Sequence, residues 1–199
     1  MRESTLSFAQ RLATTVLRRV HIVSAELDSP LREPGRQVIT QVEKAHLSAY
    51  LALRPKASRE AVLDRLERGQ RCYALWIDGA IVCVCWAATG TVHIDYLDAF
   101  LILEPTDVYM FDAYTAPGHR GQTLAADVYR HIMWTSSREG MRRSVGLLAV
   151  ENRSGRQVVL KLGWRVIGRY TFLRAVPWGR WRLVSSHGEK TLPALRLNP

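Results

Sequence analysis

The sequence predicts a single mixed α/β domain in which one sheet carries helices on its faces. Segments rich in β-branched and aromatic residues alternate with segments whose apolar residues recur at helical spacing. The 199 residues suffice for one substantial core but are few for two, and no repeat or linker divides them. A hydrophobic content of 47% with 23% charged residues is typical of a globular protein. We therefore expect one domain over residues 1–199, with a helical extension at 1–18 and a tail at 185–199.

The N-terminal third is predicted to contain a strand between helical segments. Residues 4–17 are weakly helical, and residues 20–26 alternate between apolar and polar positions as a strand does. Residues 38–53 carry apolar side chains at helical spacing and end before Pro55, which cannot continue a helix. A second short helix should begin after Ser58, because serine is a favoured N-cap residue.

A β-hairpin and a further strand should follow. Residues 72–77 and Ala80–Ala88 are β-prone and flank the dipeptide Asp78-Gly79. Asp-Gly permits the positive φ angles of a type I′ turn, which predicts a hairpin. Residues 93–103 form another apolar and aromatic run, and we expect one continuous strand there.

The second half of the chain should alternate strands and helices. Asp107–Thr115 has the composition of a strand, whereas Leu124, Val128 and Ile132 define one face of a helix over residues 123–138. The remaining predicted elements are a strand at 143–150, a helix at 155–162, and strands at 164–174 and 178–184.

The charge and the cysteine content restrict the classes of function that the protein can have. The net charge of +10 favours anionic partners, but no recognised nucleic-acid-binding signature is present, so nucleic acid is not the expected partner. Cys72, Cys83 and Cys85 show no zinc-site spacing, so no metal is predicted, and Cys83 and Cys85 should pack on one strand face. Neither a membrane-spanning run nor a signal-peptide core is present, so we expect a cytoplasmic protein without a membrane partner.

The turn between the central strand and helix is the strongest candidate for a binding site. Pro117, Gly118 and Gly121 lie in this turn, so backbone amides can converge where the helix begins. The first amides of a helix lack intrahelical partners and carry partial positive charge, which suits a phosphate group. Arg120 adds a fixed charge beside them. An ordinary strand–loop–helix junction would show similar glycine and proline residues.

These residues resemble motif A of the GNAT acyltransferase superfamily, in which Arg/Gln-x-x-Gly-x-Gly/Ala binds the acyl-CoA pyrophosphate. The corresponding residues here are Arg120, Gly121, Gln122, Thr123, Leu124 and Ala125. Thr123 stands where the family usually has glycine, although its hydroxyl could donate to a phosphate oxygen.

A second match lies later in the chain. Family members often carry Asn-x-x-Ala, a helix and then Lys-x-Gly-Phe, and the matching residues are Asn152, Gly155, Lys161, Gly163 and Trp164. With the order of elements, the resemblance covers roughly residues 70–175, and the chain is identified as a member of the superfamily. The resemblance implies a single mixed, mostly antiparallel sheet of about six to seven strands, splayed in the middle and flanked by about four helices.

The resemblance also implies the co-substrate and its contacts. Acetyl-CoA would be the acyl donor, with its pantetheine arm along the backbone of Ala113, Tyr114 and Thr115. The pyrophosphate would meet the amides of residues 121–125. Asn152 is a further candidate contact, and capping of the following helix is an equally open role for it.

The implied reaction is attack of a primary amine of a small molecule on the thioester. The tyrosine that commonly protonates the thiolate in this family corresponds to Val159, so the acid must be sought elsewhere. The candidate catalytic residues are Tyr109, Asp112 and Tyr170, for each of which packing or solvation is the alternative role. The acceptor, which could be an amino sugar, would meet aromatic and basic residues, namely Trp86, Tyr96, Arg174, Trp178, Arg180 and Trp181.

Two other functions stay open. A non-catalytic acyl-CoA-binding or sensor protein would account for the departures at Thr123 and Val159. Acylation or binding of an anionic macromolecule such as aminoacyl-tRNA would account for the positive charge. A homodimer is also compatible with the sequence.

Overall fold

The computed structural model describes residues 15–27, 31, 35, 37–175, 181–188 and 192–197. These residues form eleven strands and four helices. The strands are β1 (Thr15–Glu26), β2 (Ile39–Gln41), β3 (Arg71–Ile77), β4 (Ala80–Ala88), β5 (Thr91–Ile94), β6 (Ala99–Ile102), β7 (Asp107–Thr115), β8 (Arg143–Ala149), β9 (Arg165–Ala175), β10 (Trp181–Gly188) and β11 (Ala194–Leu197). The helices are α1 (Leu47–Leu53), α2 (Arg59–Glu67), α3 (Leu124–Arg138) and α4 (Arg153–Lys161).

Eight strands form one large sheet in the order β10-β9-β1-β8-β7-β4-β3-β2. All neighbours in it are antiparallel except β7 and β8, which α3 connects as a parallel pair. A second sheet has the order β11-β6-β5. The predicted mixed, mostly antiparallel architecture with four helices is confirmed. The large sheet exceeds the expected six to seven strands, and the small sheet was not anticipated.

The parallel pair in the middle of the large sheet is paired over only part of its length. Residues Asp107, Val108 and Tyr109 of β7 are in register with Arg143, Ser144 and Val145 of β8, and no further pairs follow between the two strands. Beyond that point each strand keeps its other neighbour, β4 for β7 and β1 for β8. The expected splay in the middle of the sheet is therefore confirmed, and it exposes two facing strand edges.

The large sheet has a hydrophobic core on each face. On one face α3 and α4 contribute Val128, Ile132 and Val159 to a cluster with Cys83 and Cys85, both of which are buried free thiols as predicted. On the other face α1 and α2 cover the fully buried Trp86, and the small sheet covers a neighbouring cluster. In the described part of the chain, no helix has both the length and the apolarity needed to span a bilayer.

The hairpin and the second helix confirm the turn and cap signals. Asp78 and Gly79 have φ angles of 49° and 76° between β3 and β4, as an Asp-Gly type I′ turn requires. Ser58 caps α2 by accepting a hydrogen bond from the amide of Ala61 at 3.2 Å. Local turn chemistry thus determined these two elements.

The predictions for the N-terminal segments were partly wrong. Residues 15–17 belong to β1 instead of a helix, and residues 1–14 lie outside the described residues. Within 38–53, residues Ile39–Gln41 form a short strand and only Leu47–Leu53 is α-helical. Pairing of Ile39 with Leu75 on β3 overrides the helical spacing of the local sequence.

Two predictions about the later chain were also wrong. The expected continuous strand at 93–103 is interrupted at Asp95–Leu97 by a 3-10 turn, after which Asp98 has a φ of 47°. The turn folds β6 back onto β5. The predicted tail at 185–199 instead contains the end of β10 and the whole of β11, which pairs with β6.

Candidate functional site

The turn after β7 forms an open cradle of backbone amides. A 3-10 turn at Pro117–His119 leads to Gly121, which has a φ of 81°, and to Thr123, which has a φ of 61° and precedes the first residue of α3. The side chain of Thr123 makes no capping hydrogen bond. Gly121, Gln122 and Thr123 are exposed, so the turn into α3 lies at the surface, and the Ala126 amide already donates to the Thr123 carbonyl oxygen at 2.8 Å.

Thr123, which departs from the resembled motif, occupies a backbone conformation that favours glycine. A threonine with positive φ is uncommon, because its β-branched side chain is crowded against the backbone there. The sequence comparison located this departure, and the structure shows that glycine at position 123 would be less strained.

Arg120 lies beside the cradle. Its Nε donates to the carbonyl oxygen of Thr115 at 3.3 Å, and its guanidinium carbon is 5.9 Å from the centre of the Tyr114 ring. The side chain is exposed at the end of β7. A fixed cation and the exposed turn into α3 therefore lie next to each other, and their role in binding a phosphate stays a prediction.

The residues predicted to hold the pantetheine arm lie along the open edge of β7. Thr115 and Tyr114 are paired with Cys83 and Val84 of β4 on one side, and β8 has already separated on the other side. Ala113 is exposed. The location fits an extended ligand, because the edge toward β8 lacks a strand partner; the pantetheine role itself stays a prediction.

β7 contains a bulge immediately before these residues. Phe111 pairs with Trp86 and Tyr114 pairs with Val84, so Cys85 on β4 faces both Asp112 and Ala113. Asp112 has a φ of 47°, in the left-handed region. Such a bulge leaves an extra residue off the ladder and changes the direction of the backbone groups around it.

Two arginines bind the side chain of Asp112. Arg54 Nη1 donates to one carboxylate oxygen at 3.0 Å, and Arg65 Nη1 donates to the other at 2.7 Å. Arg65 Nη2 donates to Asp95 at 3.2 Å. Desolvation lowers the pKa of Arg65, but the hydrogen bonds and charges of the two aspartates outweigh it and raise the pKa overall. Asp112, predicted as catalytic, thus lies at the site with both oxygens engaged.

A cleft of about 340 Å³ opens beside this cluster. The 3-10 turn between β5 and β6 forms one wall, and the separated strands β7 and β8 form the other. Tyr96, with 44% of its surface exposed, lies on the turn. The lining residues are Arg65, His93, Ile94, Asp95, Tyr96, Tyr109, Phe111, Asp112 and Leu147.

Tyr109 lines the cleft at the position where β7 and β8 separate. Its ring stacks on Phe111 with the ring centres 5.0 Å apart and the planes 4° from parallel. Burial raises the pKa of Tyr109 well above its ordinary value. The phenol therefore stays protonated at neutral pH and can act as a proton donor, but not as a base.

The structure does not bring Tyr170 to this cleft. Its hydroxyl donates to the carbonyl oxygen of Pro193, next to β11, and burial raises its pKa to about 12. The Tyr170 side chain belongs to the hydrophobic cluster under the small sheet. The hydrogen bond of Tyr170 thus connects β9 to the residue that precedes β11.

Asn152 caps α4, as one of its two predicted roles requires. Its Oδ1 accepts a hydrogen bond from the amide of Gly155 at 2.9 Å. A Cβ at position 155 would lie 2.7 Å from Nδ2 of Asn152, so an alanine there would require the capping side chain to shift. The ligand contact of Asn152 stays a prediction, and Val159 is buried in the core beneath α3 and α4.

The aromatic residues predicted at the acceptor site have different positions. Tyr96 lines the cleft, whereas Trp86 is fully buried and donates from Nε1 to the Tyr50 hydroxyl at 3.1 Å. Trp178 and Arg180 lie outside the described residues. The sequence analysis missed Arg54 and Arg65. No local sequence pattern around α1 and α2 shows which arginine side chains contact β7 and which point to solvent.

No protein-family model matches the chain, and no curated protein sequence matches it. Solved structures do match. A protein of Novosphingobium aromaticivorans assigned to the GNAT family of acetyltransferases superposes with a TM-score of 0.60 at 16% identity, over 79% of this chain and 65% of its own. A GNAT-family acetyltransferase of Colwellia psychrerythraea gives a TM-score of 0.60 at 12% identity, over 84% of this chain and 59% of its own.

A third match is AAC(6′)-Iy in complex with the bisubstrate analogue CoA-S-monomethyl-acetylneamine. Its TM-score is 0.53 at 20% identity, over 65% of this chain and 90% of its own. The chain spans less than two thirds of the length of the first two matched proteins. At these identities the similarity shows the fold. The chain has the fold of the GNAT-family acetyltransferases, as its two motifs and the order of its elements predicted.

Proposed function

We propose that the protein is an acyl-CoA-dependent N-acyltransferase that transfers an acetyl group to a primary amine of a small molecule. The observation that carries this proposal is the separation of β7 from β8 beyond Tyr109. It places an unpaired strand edge between a cradle of exposed amides and a lined cleft. An extended donor and a compact acceptor can therefore approach the same point from opposite ends.

The donor side is suited to a phosphorylated, amide-containing ligand. The amides that begin α3 and the guanidinium of Arg120 supply donors and positive charge for a pyrophosphate. The β7 edge at Ala113, Tyr114 and Thr115 supplies backbone groups for the amides of a pantetheine arm. The net charge of +10 further favours a polyanionic co-substrate such as acetyl-CoA.

The acceptor side is suited to direct transfer. The amine nitrogen forms a bond to the thioester carbon, the carbon–sulfur bond breaks, the amine loses a proton and the CoA thiolate gains one. Both carboxylate oxygens of Asp112 accept hydrogen bonds from guanidinium groups, so in this proposal solvent in the open cleft accepts the amine proton. Tyr109, protonated and at the point of strand separation, donates its proton to the thiolate and regains one from solvent in the cleft.

An amino sugar is the acceptor that we propose. The cleft offers the rings of Tyr96 and Phe111 together with charged groups of both signs, which suits a polar ring bearing amines. The bisubstrate analogue bound to AAC(6′)-Iy joins CoA to an acetylneamine, which supports such an acceptor on this fold.

Isothermal titration with acetyl-CoA and CoA, followed by assay of thiol release with a panel of amines, tests the proposal. We expect binding of both nucleotides and thiol release with at least one amino sugar. Absence of binding up to millimolar ligand would remove the proposal.

A non-catalytic acyl-CoA-binding protein is the second candidate function. The engagement of Asp112 and the burial of Val159 in the core favour it, because neither position supplies an obvious proton-transfer group. It predicts the same binding without thiol release for any amine.

A further inference from the structure

The bulge of β7 carries a local strain that the neighbouring side chains hold in place. We propose that Arg54 and Arg65 are positioning residues, which fix the left-handed backbone of Asp112 and thereby aim the backbone groups of the bulge at the gap between β7 and β8. The expected effect of the arginines on kcat rests on the proposed function, whereas their expected effect on the backbone conformation of Asp112 does not. In this proposal the arginines act through Asp112 and do not bind the acceptor themselves.

The backbone conformation of Asp112 is unusual for its place in the fold. Four non-glycine residues of the described part of the chain have positive φ: Asp78, Asp98, Asp112 and Thr123. Asp78 lies in a hairpin turn, Asp98 ends a 3-10 turn and Thr123 precedes a helix. Asp112 alone among these four lies inside a strand, where the extended conformation is the normal one.

The side chain of Asp112 is held from two different helical segments. Arg54 follows the last residue of α1 and donates to Oδ1, while Arg65, on α2, donates to Oδ2. Both arginines are 24% exposed and Asp112 is 27% exposed, so solvent screens these pairs only in part. Two donors, one on each oxygen, fix the orientation of a carboxylate better than one can.

Aromatic rings in turn fix the two guanidinium groups. The guanidinium carbon of Arg54 is 4.7 Å from the centre of the Tyr114 ring. That of Arg65 is 5.3 Å from the ring centre of Trp86 and 5.5 Å from that of Phe111. Phe111 and Tyr114 are the residues that flank the bulge on β7, so each arginine rests on the strand that it constrains.

The bulge lies where its direction matters. The pairing of β7 with β8 ends at Tyr109, and Asp112 with Ala113 forms the bulge a few residues further along the open edge. Rotation about φ of Asp112 would turn the neighbouring peptide groups toward or away from the gap. Arg65 also binds Asp95 on the opposite wall of the cleft through an ion pair whose aspartate is 72% exposed, so its main constraint is on Asp112.

Direct recognition of the acceptor by Arg65 is less consistent with its contacts. Nη1 is used by Asp112 and Nη2 by Asp95, and the guanidinium face rests on Trp86 and Phe111. The two ion pairs and the ring contacts hold the guanidinium in one orientation, so a ligand could use only its remaining N–H donors in that orientation. Positioning uses the contacts that the structure already contains.

The test combines Arg65→Ala with Asp112→Gly, because glycine adopts positive φ without strain and so should not need the arginines. The first readout is the backbone amide NMR signals of Ala113 and Tyr114 in the ligand-free protein, which are independent of any activity. The second is kcat with a working amine, together with the CoA dissociation constant. Arg71→Ala is the matched control, because Arg71 is also 24% exposed and forms an ion pair, with Glu139, away from the bulge.

We expect Arg65→Ala to shift or broaden the Ala113 and Tyr114 signals and to lower kcat by about tenfold or more, since small misplacements of reacting groups have effects of this size. CoA affinity should change by less than about threefold, because the phosphate cradle is untouched. In the Asp112→Gly protein, the same Arg65→Ala change should alter kcat by less than about twofold.

Three results would overturn the proposal. Unchanged Ala113 and Tyr114 signals in folded Arg65→Ala would show that the arginine does not hold the bulge. An equal loss of kcat or a raised acceptor KM on Arg65→Ala in both the parent and the Asp112→Gly protein would show direct action of Arg65 on the acceptor. Loss of turnover in Asp112→Gly alone, with signals as in the parent, would show a chemical role for the carboxylate.

Two further variants keep the test decisive. If Arg65→Ala does not fold, Arg65→Lys retains the charge but cannot bridge Asp112 and Asp95 with a planar fork, and the same signals are compared. Asp78→Gly, at a left-handed position in the β3–β4 turn, controls for glycine itself. If no variant and no parent protein turns over any amine, the proposed function fails, and the amide signals still decide whether the arginines hold the bulge.

Discussion

The two halves of β7 differ in what they contribute to the molecule. In its first half Asp107, Val108 and Tyr109 pair with β8, and Arg143 donates to both carboxylate oxygens of Asp107 across the two strands. Only 3% of the Asp107 side chain and 11% of the Arg143 side chain are exposed. In its second half the strand has lost β8, and it contains a left-handed residue with partly exposed ion pairs.

The difference shows how one strand can serve both stability and ligand binding. The paired half satisfies its backbone groups within the sheet and has a buried ion pair at its first residue, at the end away from the splay. The open half leaves backbone groups free on the edge toward β8, which is costly unless a ligand or water binds them. Substitutions in the first half should therefore reduce folding stability, whereas substitutions in the second half and the adjoining cradle should alter rate and affinity.

The largest effect is expected for Asp107→Ala, in the paired half. Removal of one partner from a buried ion pair takes away the carboxylate that both Nε and Nη2 of Arg143 bind, and it should lower the free energy of unfolding by about 3–5 kcal/mol. Urea denaturation measures it. The matched control is Asp64→Ala, which breaks an exposed ion pair with Arg68 and should cost less than about 1 kcal/mol. Similar losses in the two variants would contradict the comparison.

Tyr109→Phe, at the junction of the two halves, should lower kcat by about 100-fold, the lower end of the range for positioned proton transfer. The acyl-CoA dissociation constant should stay within about twofold, because the hydroxyl acts on the leaving group. Since burial raises the pKa of Tyr109, its ionisation should not reduce kcat below about pH 10. Steady-state kinetics across pH and titration calorimetry measure these quantities.

Tyr170→Phe is the control for this tyrosine. It loses the hydrogen bond to Pro193, which should cost about 1 kcal/mol of stability and leave kcat unchanged. A large loss of kcat in Tyr170→Phe with none in Tyr109→Phe would reverse the assignment of the acid.

Arg120→Ala and Gly121→Val should weaken acyl-CoA binding at the cradle. The first removes a charge-assisted phosphate contact worth about 1.5–3 kcal/mol. The second puts a β-branched residue at a φ of 81°, which valine strongly disfavours. Arg130→Ala, in the second turn of α3, removes the same charge away from the cradle and serves as control. Equal weakening by Arg120→Ala and Arg130→Ala would indicate general charge attraction in place of a local contact.

The smallest effect is expected for Thr123→Gly, which should raise the free energy of unfolding by about 0.5–1 kcal/mol. The free energy gained by removing the left-handed strain should exceed the entropic cost of the greater backbone freedom of glycine in the unfolded chain. Thermal unfolding measures the change. Thr115→Gly, in β7 outside the positive-φ positions, should instead be destabilising, and a similar gain in both variants would refute the strain at Thr123.

The sequence predicted the turn between β7 and α3 well, because that turn is encoded in consecutive residues. Pro117, Gly118, Arg120 and Gly121 specify a turn with a charge beside a helix start wherever they occur after a strand. The same holds for the Asp78-Gly79 hairpin turn, which needs no information from distant segments.

The cleft could not be predicted in the same way, because its parts come from distant segments. Arg65 and Asp112 are 47 residues apart, and Arg54 and Asp112 are 58 residues apart. No local pattern distinguishes these arginines from the others in the chain. The missed break at Asp95–Leu97 has a similar origin, because the turn is stabilised by contacts such as that between Asp95 and Arg65.

The position of β1 in the large sheet has a consequence for folding during synthesis on the ribosome. β1 is the first described strand to be synthesised, yet it lies between β8 and β9. The Ser144 hydroxyl reaches the Ala25 carbonyl across 119 residues of chain. The backbone groups on both edges of β1 therefore lack their strand partners until β8 and β9 have been synthesised, late in the chain. The hairpin of β3 and β4 can form early, but the sheet closes late, and chaperones that shield strand edges should bind the nascent chain during that interval.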